Sequence, residues 1–522
     1  MNENISAALN RAVALFGDRE AMVDGATRWD YRELDARVRA FDAALDGFGL
    51  APGDVVGVLA ANSKAHLVGW LAVPRSGRVL NELNTRLSLA ELEFILDDSA
   101  VRVLVVDENY LDTGRELLRS SPDLDTLIYA GSGECPSDCI SFEVLTTTGE
   151  SPRQVSVDGD ATAGIFYTGG TTGRPKGVML THNNLMANAK HALICLGYTD
   201  RDTYLHAGPM FHLADGASTV ALTWVGGKHV IVPGFDPEGW LATVSAERVT
   251  RAMLVPTMIN MLLAKPFPAG TDTSSLVSIL YGASPMPQSV LQTAMDTLGC
   301  DWCQVYGMTE GAPIISFMTY DDHRRGVSGD DPEASARLRS AGRPVVGVEV
   351  EVRGADDTVL GAGEAGEIVV RGSNIMKGYL NRPEETSAVL TEDGWYRTGD
   401  MGYLDAGGYL FVVDRLKDMI ISGGENVYCT EVENALYRHS DVLEVAVFGL
   451  PDPQWGEAVH AAVRLRPTSR TSADELRMHA RELIAGYKVP RAVHILDDAL
   501  PKSGAGKILK RNLREQFARV DA

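Results

Sequence analysis

Residues 166–182 read FYTGGTTGRPKGVMLTH. Gly169, Gly170, Gly173 and Gly177 leave the backbone uncovered, Thr168, Thr171 and Thr172 add hydroxyls, and Arg174 and Lys176 add positive charge. Free amide donors, hydroxyls and cations in one loop suit a polyphosphate, because fixed dipoles replace the water shell of the anion. The residues just before the loop, Gly164-Ile165-Phe166-Tyr167, read as a short buried strand. The stretch is therefore expected to be a sheet strand that opens into an anion-binding turn; a plain surface loop is the competing reading. A Walker A loop is excluded, since that needs Gly, four residues, then Gly-Lys and Ser or Thr. Gly173-Arg174-Pro175-Lys176 breaks the spacing, and so does Pro501 to Lys507, where Ile508 follows the lysine.

Outward from this stretch, helix and buried strand alternate. Leu34, Val38, Phe41 and Leu45 recur at helical spacing over 31–45, and Val55 to Leu59 follows as an apolar strand. Leu89 to Leu96 as helix and Val101 to Val106 as strand repeat the pattern. This predicts layered α/β sheets, mostly parallel. Residues 131–162 read as a long surface connection and residues 321–340 as a solvated loop. From Val345 the texture changes to short alternating segments, 347–352 and 366–370, which predict a β-rich subdomain with antiparallel strands. Beyond Asp414 a smaller α+β unit is expected, with helices over 431–437 and 473–483 and strands over 442–448 and 458–465. The expected division is a large N-terminal domain over 1–413, a link at 414–417 and a small domain over 418–522.

A chain of 522 residues is too long for one core, so at least two domains are expected. Its net charge of −22 argues against nucleic-acid or anionic-membrane partners. An anion site must then be locally basic, which points to Arg174, Lys176, Arg415 and Lys507. The N-terminal stretch lacks a basic start followed by an apolar block, and no apolar run is long enough to span a bilayer. Six cysteines in so long a chain do not form a disulfide framework, and Cys300 and Cys303 read as buried structural thiols. A cytoplasmic protein without an integral membrane segment is expected.

The glycine-rich stretch resembles the phosphate loop of the adenylate-forming enzymes: acyl- and aryl-CoA synthetases, peptide-synthetase adenylation domains and beetle luciferases. Gly169 stands where the family usually has Ser. The likeness extends over almost the whole chain and is strongest from 164 to 511. It implies roles for further motifs. In Tyr306-Gly307-Met308-Thr309-Glu310, Thr309 would contact the α-phosphate, Glu310 and Thr309 would hold Mg²⁺, and Tyr306 would flank the adenine. Without that context Thr309 reads as a helix cap. Gly282, Ala283 and Ser284 match a turn that lines the adenine and acyl sites. In Trp395-Tyr396-Arg397-Thr398-Gly399-Asp400, Asp400 would accept both ribose hydroxyls, whereas alone it reads as a turn residue. Arg415 matches an arginine near ribose and phosphate, and Lys417 matches the hinge about which a mobile C-terminal domain pivots. Lys507 matches the lysine that bridges carboxylate and α-phosphate, where a cation offsets charge on the transferring group. Gly423 and Gly424 resemble the loop that meets the CoA thiol, and 485–490 resembles the CoA-ligase branch.

Phe211-His212-Leu213-Ala214-Asp215 matches the segment with a His or aromatic gate beside the acyl carboxylate, although His212 reads equally as a satisfied core histidine. With Val305, Gly307, Ile314 and Ile315, the residues His212, Leu213 and Ala214 form an apolar pocket set without a cation for a second carboxylate. Val305 replaces the usual Gly and would reshape the pocket. The resemblance implies an ATP-, Mg²⁺- and CoA-dependent acyl-CoA synthetase acting on a hydrophobic carboxylic acid. Three alternatives stay open: adenylation alone with an acyl carrier protein or a separate enzyme as acceptor, a luciferase-like oxygenase, and a non-catalytic adenylate-binding protein.

Overall fold

The computed structural model describes residues 4–148, 155–168, 175–282, 286, 288–416, 418–422, 425–467, 469–502 and 508–518. Two large sheets carry most of the chain. The first runs Gly378–Tyr379, Lys176–Thr181, Thr162–Thr168, Val79–Glu82, Val55–Leu59, Val101–Val106, Thr126–Tyr129, Ile140–Ser141, and is parallel from Thr162–Thr168 onward. Its central strands are nearly all Val, Leu and Gly because helices cover both faces. The second sheet has nine strands, and Asp301–Gly307, Ser278–Gly282, Arg251–Leu254, Thr203–His206, Lys228–Ile231 and Glu20–Asp24 form its parallel centre. One apolar core joins the two sheets through helices Tyr31–Gly47, Lys64–Ala72 and His182–Leu196. Caps set their starts: Asp30 accepts from the Glu33 amide, and Thr181 and Asn184 form a reciprocal box.

The β-rich part is a four-stranded antiparallel sheet, Val348–Arg353, Gly366–Gly372, Tyr396–Leu404, Leu410–Arg415. A five-stranded sheet follows, in which Val442–Asp452 pairs Gly456–Leu465 over its whole length and Ala492–Leu496 adds a parallel strand. It has its own core of Ile420, Val432, Val445, Val459 and Leu476.

Two connections differ from the sequence reading. The stretch read as a solvated loop folds into helices Tyr320–Ser328 and Pro332–Arg337. Their starts are fixed by caps, Thr319 with Asp322 and Asp331 before Pro332. The buried face of the first carries only His323 and Gly326, so no apolar period betrays it. The connection 131–162 holds strand Ile140–Ser141 and helix Phe142–Thr147, whose buried Phe142 packs 5.2 Å from Phe41. Of the two thiols expected to be buried, Cys303 is buried and Cys300 only partly so.

Candidate active site

The stem of the glycine-rich hairpin is the antiparallel pair Thr162–Thr168 and Lys176–Thr181, with Thr168 opposite Lys176. Gly169, Gly170, Thr171, Thr172, Gly173 and Arg174 lie outside the described residues. At the base of the stem, Gly378–Tyr379 adds a strand to Lys176–Thr181. Lys176 forms an ion pair with Glu385, and its Nζ sits 5.1 Å from the centre of the Tyr379 ring. The same Tyr379 donates its hydroxyl to Glu310 Oε1 at 3.0 Å and lies 3.5 Å from the Tyr396 hydroxyl.

Glu310 sits in the short turn Thr309–Gly311 that follows strand Asp301–Gly307. Asn374 holds this turn by donating to the Gly311 and Ile314 carbonyls at 2.6 and 2.9 Å. Burial raises the Glu310 pKa and nearby Asp400 adds to it, against the Tyr379 hydrogen bond and the positive charge of Arg415. A carboxylate held at such a cost is a hard-oxygen donor that a divalent cation would relieve. Among the described residues no group of three His, Cys, Asp or Glu side chains could cage a metal.

Asp400 and Arg415 are opposite each other on strands Tyr396–Leu404 and Leu410–Arg415. Arg415 Nε is 3.6 Å from Asp400 Oδ1, and the Tyr306 hydroxyl donates to Asp400 Oδ2 at 2.7 Å. Burial and the negative charge of Asp400 push the Tyr306 phenol well up, so it is a donor at any ordinary pH. Tyr306, Glu310, Asp400 and Arg415 are thus one constellation, linked through Tyr379 to Lys176.

On the pocket side, no side chain fits at Gly282 or Gly307, where an added Cβ would lie 2.5 Å from the Val305 carbonyl and 1.7 Å from the Pro313 carbonyl. Val305 is the register partner of Gly282, and Gly307 of Ile314. Leu213 and Ile314 are buried in the core that joins the sheets, with Ala214 and Val305 packed against it. His212 precedes helix Leu213–Gly216, its ring 4.6 Å from Phe211. Its Nε2 is buried without a hydrogen-bond partner among the described residues. Burial, helped by the charge of Arg86, pushes His212 down to about 4, so the ring is neutral at pH 7. The buried His182 likewise has an Nε2 without a partner among the described residues.

Residues 9–380 match the family described as AMP-binding enzyme, and residues 431–507 match the AMP-binding enzyme C-terminal domain. The chain belongs to the AMP-binding enzymes. It is 39% identical to a feruloyl-CoA synthase of Amycolatopsis sp, over 95% of this chain and 96% of that one. It is 36% identical to the 3-[(3aS,4S,7aS)-7a-methyl-1,5-dioxo-octahydro-1H-inden-4-yl]propanoyl:CoA ligase of Rhodococcus jostii, over 98% of both. ATP-bound MatB from Rhodopseudomonas palustris has the same fold, with a TM-score of 0.89, 30% identity and full coverage of both chains.

In this AMP-binding enzyme, Ala283, Ser284, Lys417, Gly423, Gly424 and Lys507 lie outside the described residues, so their expected roles rest on sequence. The segment that carries Lys507 is closed at its base by a bridge between Lys502 and Ile508 and by the Leu509 amide on the Pro501 carbonyl. Lys502 is tied to Glu444. Sequence reasoning missed Asn374, Tyr379, Glu385 and Tyr396. Only Tyr396 lay inside a recognised motif, next to the Asp400 segment. No described helix is long and apolar enough to cross a membrane.

Proposed function

We propose that this AMP-binding enzyme is an AMP-forming acid–thiol ligase that converts a hydrophobic monocarboxylic acid to its CoA thioester. The observation that carries the reading is the half-buried Glu310, joined through Tyr379 to the hairpin stem and lying beside the Asp400–Tyr306–Arg415 cluster. A carboxylate oxygen of the acid attacks the α-phosphorus of ATP, the bond to the β-phosphate oxygen breaks, and pyrophosphate leaves. Thiolate attack on the acyl carbon of the adenylate then releases AMP. Asp400 accepts the ribose hydroxyls, with Tyr306 fixing one of its oxygens and Arg415 beside the other. Lys176 and residues 169–174 receive the outer phosphates. Glu310 and Thr309 hold Mg²⁺, which offsets charge on the phosphate oxygens when bound. Lys507 joins the acid's carboxylate to the α-phosphate.

The link 414–417 serves as a hinge between the domains 1–413 and 418–522, with Lys417 as pivot. After adenylation, rotation withdraws Lys507 and brings Gly423 and Gly424 to the thiol. His212, Leu213, Ala214, Val305, Gly307 and Ile314 form the acyl site, and the open His212 nitrogen meets the acid's carboxylate. The apolar lining favours an aryl, polycyclic or fatty acid, the classes in the names of its relatives. Use of ATP and free CoA suits the cytoplasm.

The deciding experiment is a panel of ferulate, benzoate, indoleacetate and octanoate with MgATP, following pyrophosphate with and without CoA. Pyrophosphate release that CoA accelerates, with acyl-CoA and AMP as products, supports the ligase. Release indifferent to CoA makes the chain an adenylating enzyme with another acceptor, such as an acyl carrier protein. Nucleotide binding without release makes it non-catalytic.

A further inference from the structure

A relay of five buried polar side chains lies directly behind the segment that carries His212. The Tyr204 hydroxyl donates to Asp215 Oδ1 at 3.0 Å, and His206 Nδ1 is 2.8 Å from Asp215 Oδ2. His206 Nε2 is 3.0 Å from His229 Nδ1, and His229 Nε2 is 3.0 Å from Thr223 Oγ1. All five residues are at most 1% exposed. With His206 as a neutral ring that donates to Asp215, one proton order runs along the chain. His206 donates from Nδ1, accepts at Nε2 from His229 Nδ1–H, and His229 accepts at Nε2 from Thr223. Burial, with His206 as neighbour, holds His229 well below the usual histidine range, so the neutral ring that this order needs is the stable form. Strands Thr203–His206 and Lys228–Ile231 and helix Ser218–Val225 are thereby fastened to one carboxylate.

That carboxylate is one turn from His212. The amides of Asp215 and Gly216 both donate to the His212 carbonyl, at 3.1 and 2.9 Å. The other end of the segment is clamped by Asn62, which donates to the Gly208 carbonyl at 2.7 Å and accepts from the Met210 amide at 2.8 Å. Between the clamps the packing is tight: a Cβ on Gly216 would lie 2.4 Å from the Met210 carbonyl and 3.1 Å from the Trp70 ring. Phe211 and His212 sit between two buried polar anchors that leave the backbone little freedom. A fully satisfied buried network costs desolvation, and what it returns is a single arrangement of the groups attached to it.

We propose that Asp215, backed by Tyr204, His206, His229 and Thr223 and opposed by Asn62, is a positioning residue of the acyl site, setting where His212 Nε2 meets the acid and how wide the pocket opens. This rests on the ligase reading above. Asp215→Asn keeps the shape but leaves one former donor facing an amide, and Thr223→Val removes only the far end of the relay.

The test measures pyrophosphate release by the full chain with ferulate and octanoate, varying acid and MgATP separately. Asp215→Asn is expected to raise the acid KM about tenfold and Thr223→Val about threefold, with the MgATP KM within about twofold. The preference between the flat and the flexible acid should narrow in the same order. An unchanged acid KM, or equal rises for acid and MgATP, overturns the proposal. Should Asp215→Asn fail to fold, Thr223→Val and Tyr204→Phe decide it by the same criterion. If neither acid releases pyrophosphate from the wild type, the ligase reading is in question, and side-chain ¹⁵N spectra judge the relay instead. One sharp pair of His212 ring signals that broadens in Thr223→Val supports it; an unchanged pair overturns it.

Discussion

Asp400 and Arg415 face each other across neighbouring antiparallel strands, with Arg415 Nε 3.6 Å from one carboxylate oxygen while the Tyr306 hydroxyl occupies the other. The aspartate is held between a cation and a neutral donor, so its two oxygens have fixed directions before any nucleotide arrives. Asp400→Ala should raise the MgATP KM by tenfold or more, since hydrogen bonds to a charged group are worth about 1.5–3 kcal/mol. Tyr306→Phe keeps the carboxylate and loses only its orientation, so a smaller rise of about threefold is expected. Initial rates at saturating acid separate the two variants, and an unchanged MgATP KM in Asp400→Ala would remove the ribose assignment.

Lys176 is paired with Glu385, and in the proposed reaction the outer phosphates would compete for the same ammonium. The pair is partly exposed, so its worth is of order 0.2–1 kcal/mol. Glu385→Gln should therefore lower the MgATP KM by up to about fivefold, without change in the acid KM. Had the pair served only to fix the hairpin stem, the same substitution would raise the MgATP KM, and the sign of the change decides between the two.

Glu310 gives a pH prediction. Burial raises its folded pKa above the ordinary 4.5. The folded chain then binds the proton more tightly than the unfolded chain, so this group's contribution is most favourable below pH 4.5 and is lost as pH rises through the raised value. Glu310→Gln removes the partly desolvated charge and should melt higher than the wild type at pH 8, with the gap closing towards pH 4.5. The same variant should lose about a hundredfold in pyrophosphate release, because the metal-holding oxygen is gone. Melting curves at the two pH values without nucleotide check the first claim. A lower melting temperature at pH 8 would mean that the carboxylate is stabilised by its neighbours.

Legibility in the sequence followed the distance over which each feature is determined. Val55–Leu59 and Val101–Val106 could be read because strands covered on both faces are apolar without interruption. Helix Tyr320–Ser328 could not, since its stability comes from the Thr319–Asp322 box and a buried face of His323 and Gly326. Tyr306, Glu310, Asp400 and Arg415 stand in short contiguous motifs and were legible. Tyr379 meets Glu310 across 69 positions and Asn374 meets Gly311 across 63, and no local pattern marks either. His212 was ambiguous in sequence because a gate and a core histidine look alike there; the open Nε2 is visible only in three dimensions.

Lys507 belongs to a segment whose base is fastened to the C-terminal unit, by the Lys502–Ile508 bridge and the Lys502–Glu444 ion pair. Glu444 lies on strand Val442–Asp452, whose residues Val442, Val445 and Val447 belong to that unit's own core. Under the proposed hinge, Lys507 would travel with the C-terminal unit and serve adenylation without serving discharge. Lys507→Ala should lower pyrophosphate release by about a hundredfold, the scale for a residue that stabilises charge only in the transition state. Discharge of a chemically supplied acyl-adenylate to CoA should stay within about threefold of the wild type. Glu444→Gln, which loosens the base without touching the reacting atoms, should slow adenylation far less than Lys507→Ala and leave discharge unchanged. Equal loss of both half-reactions in Lys507→Ala would mean that the lysine serves both steps from one position, and the hinge at 414–417 would then have no part in catalysis.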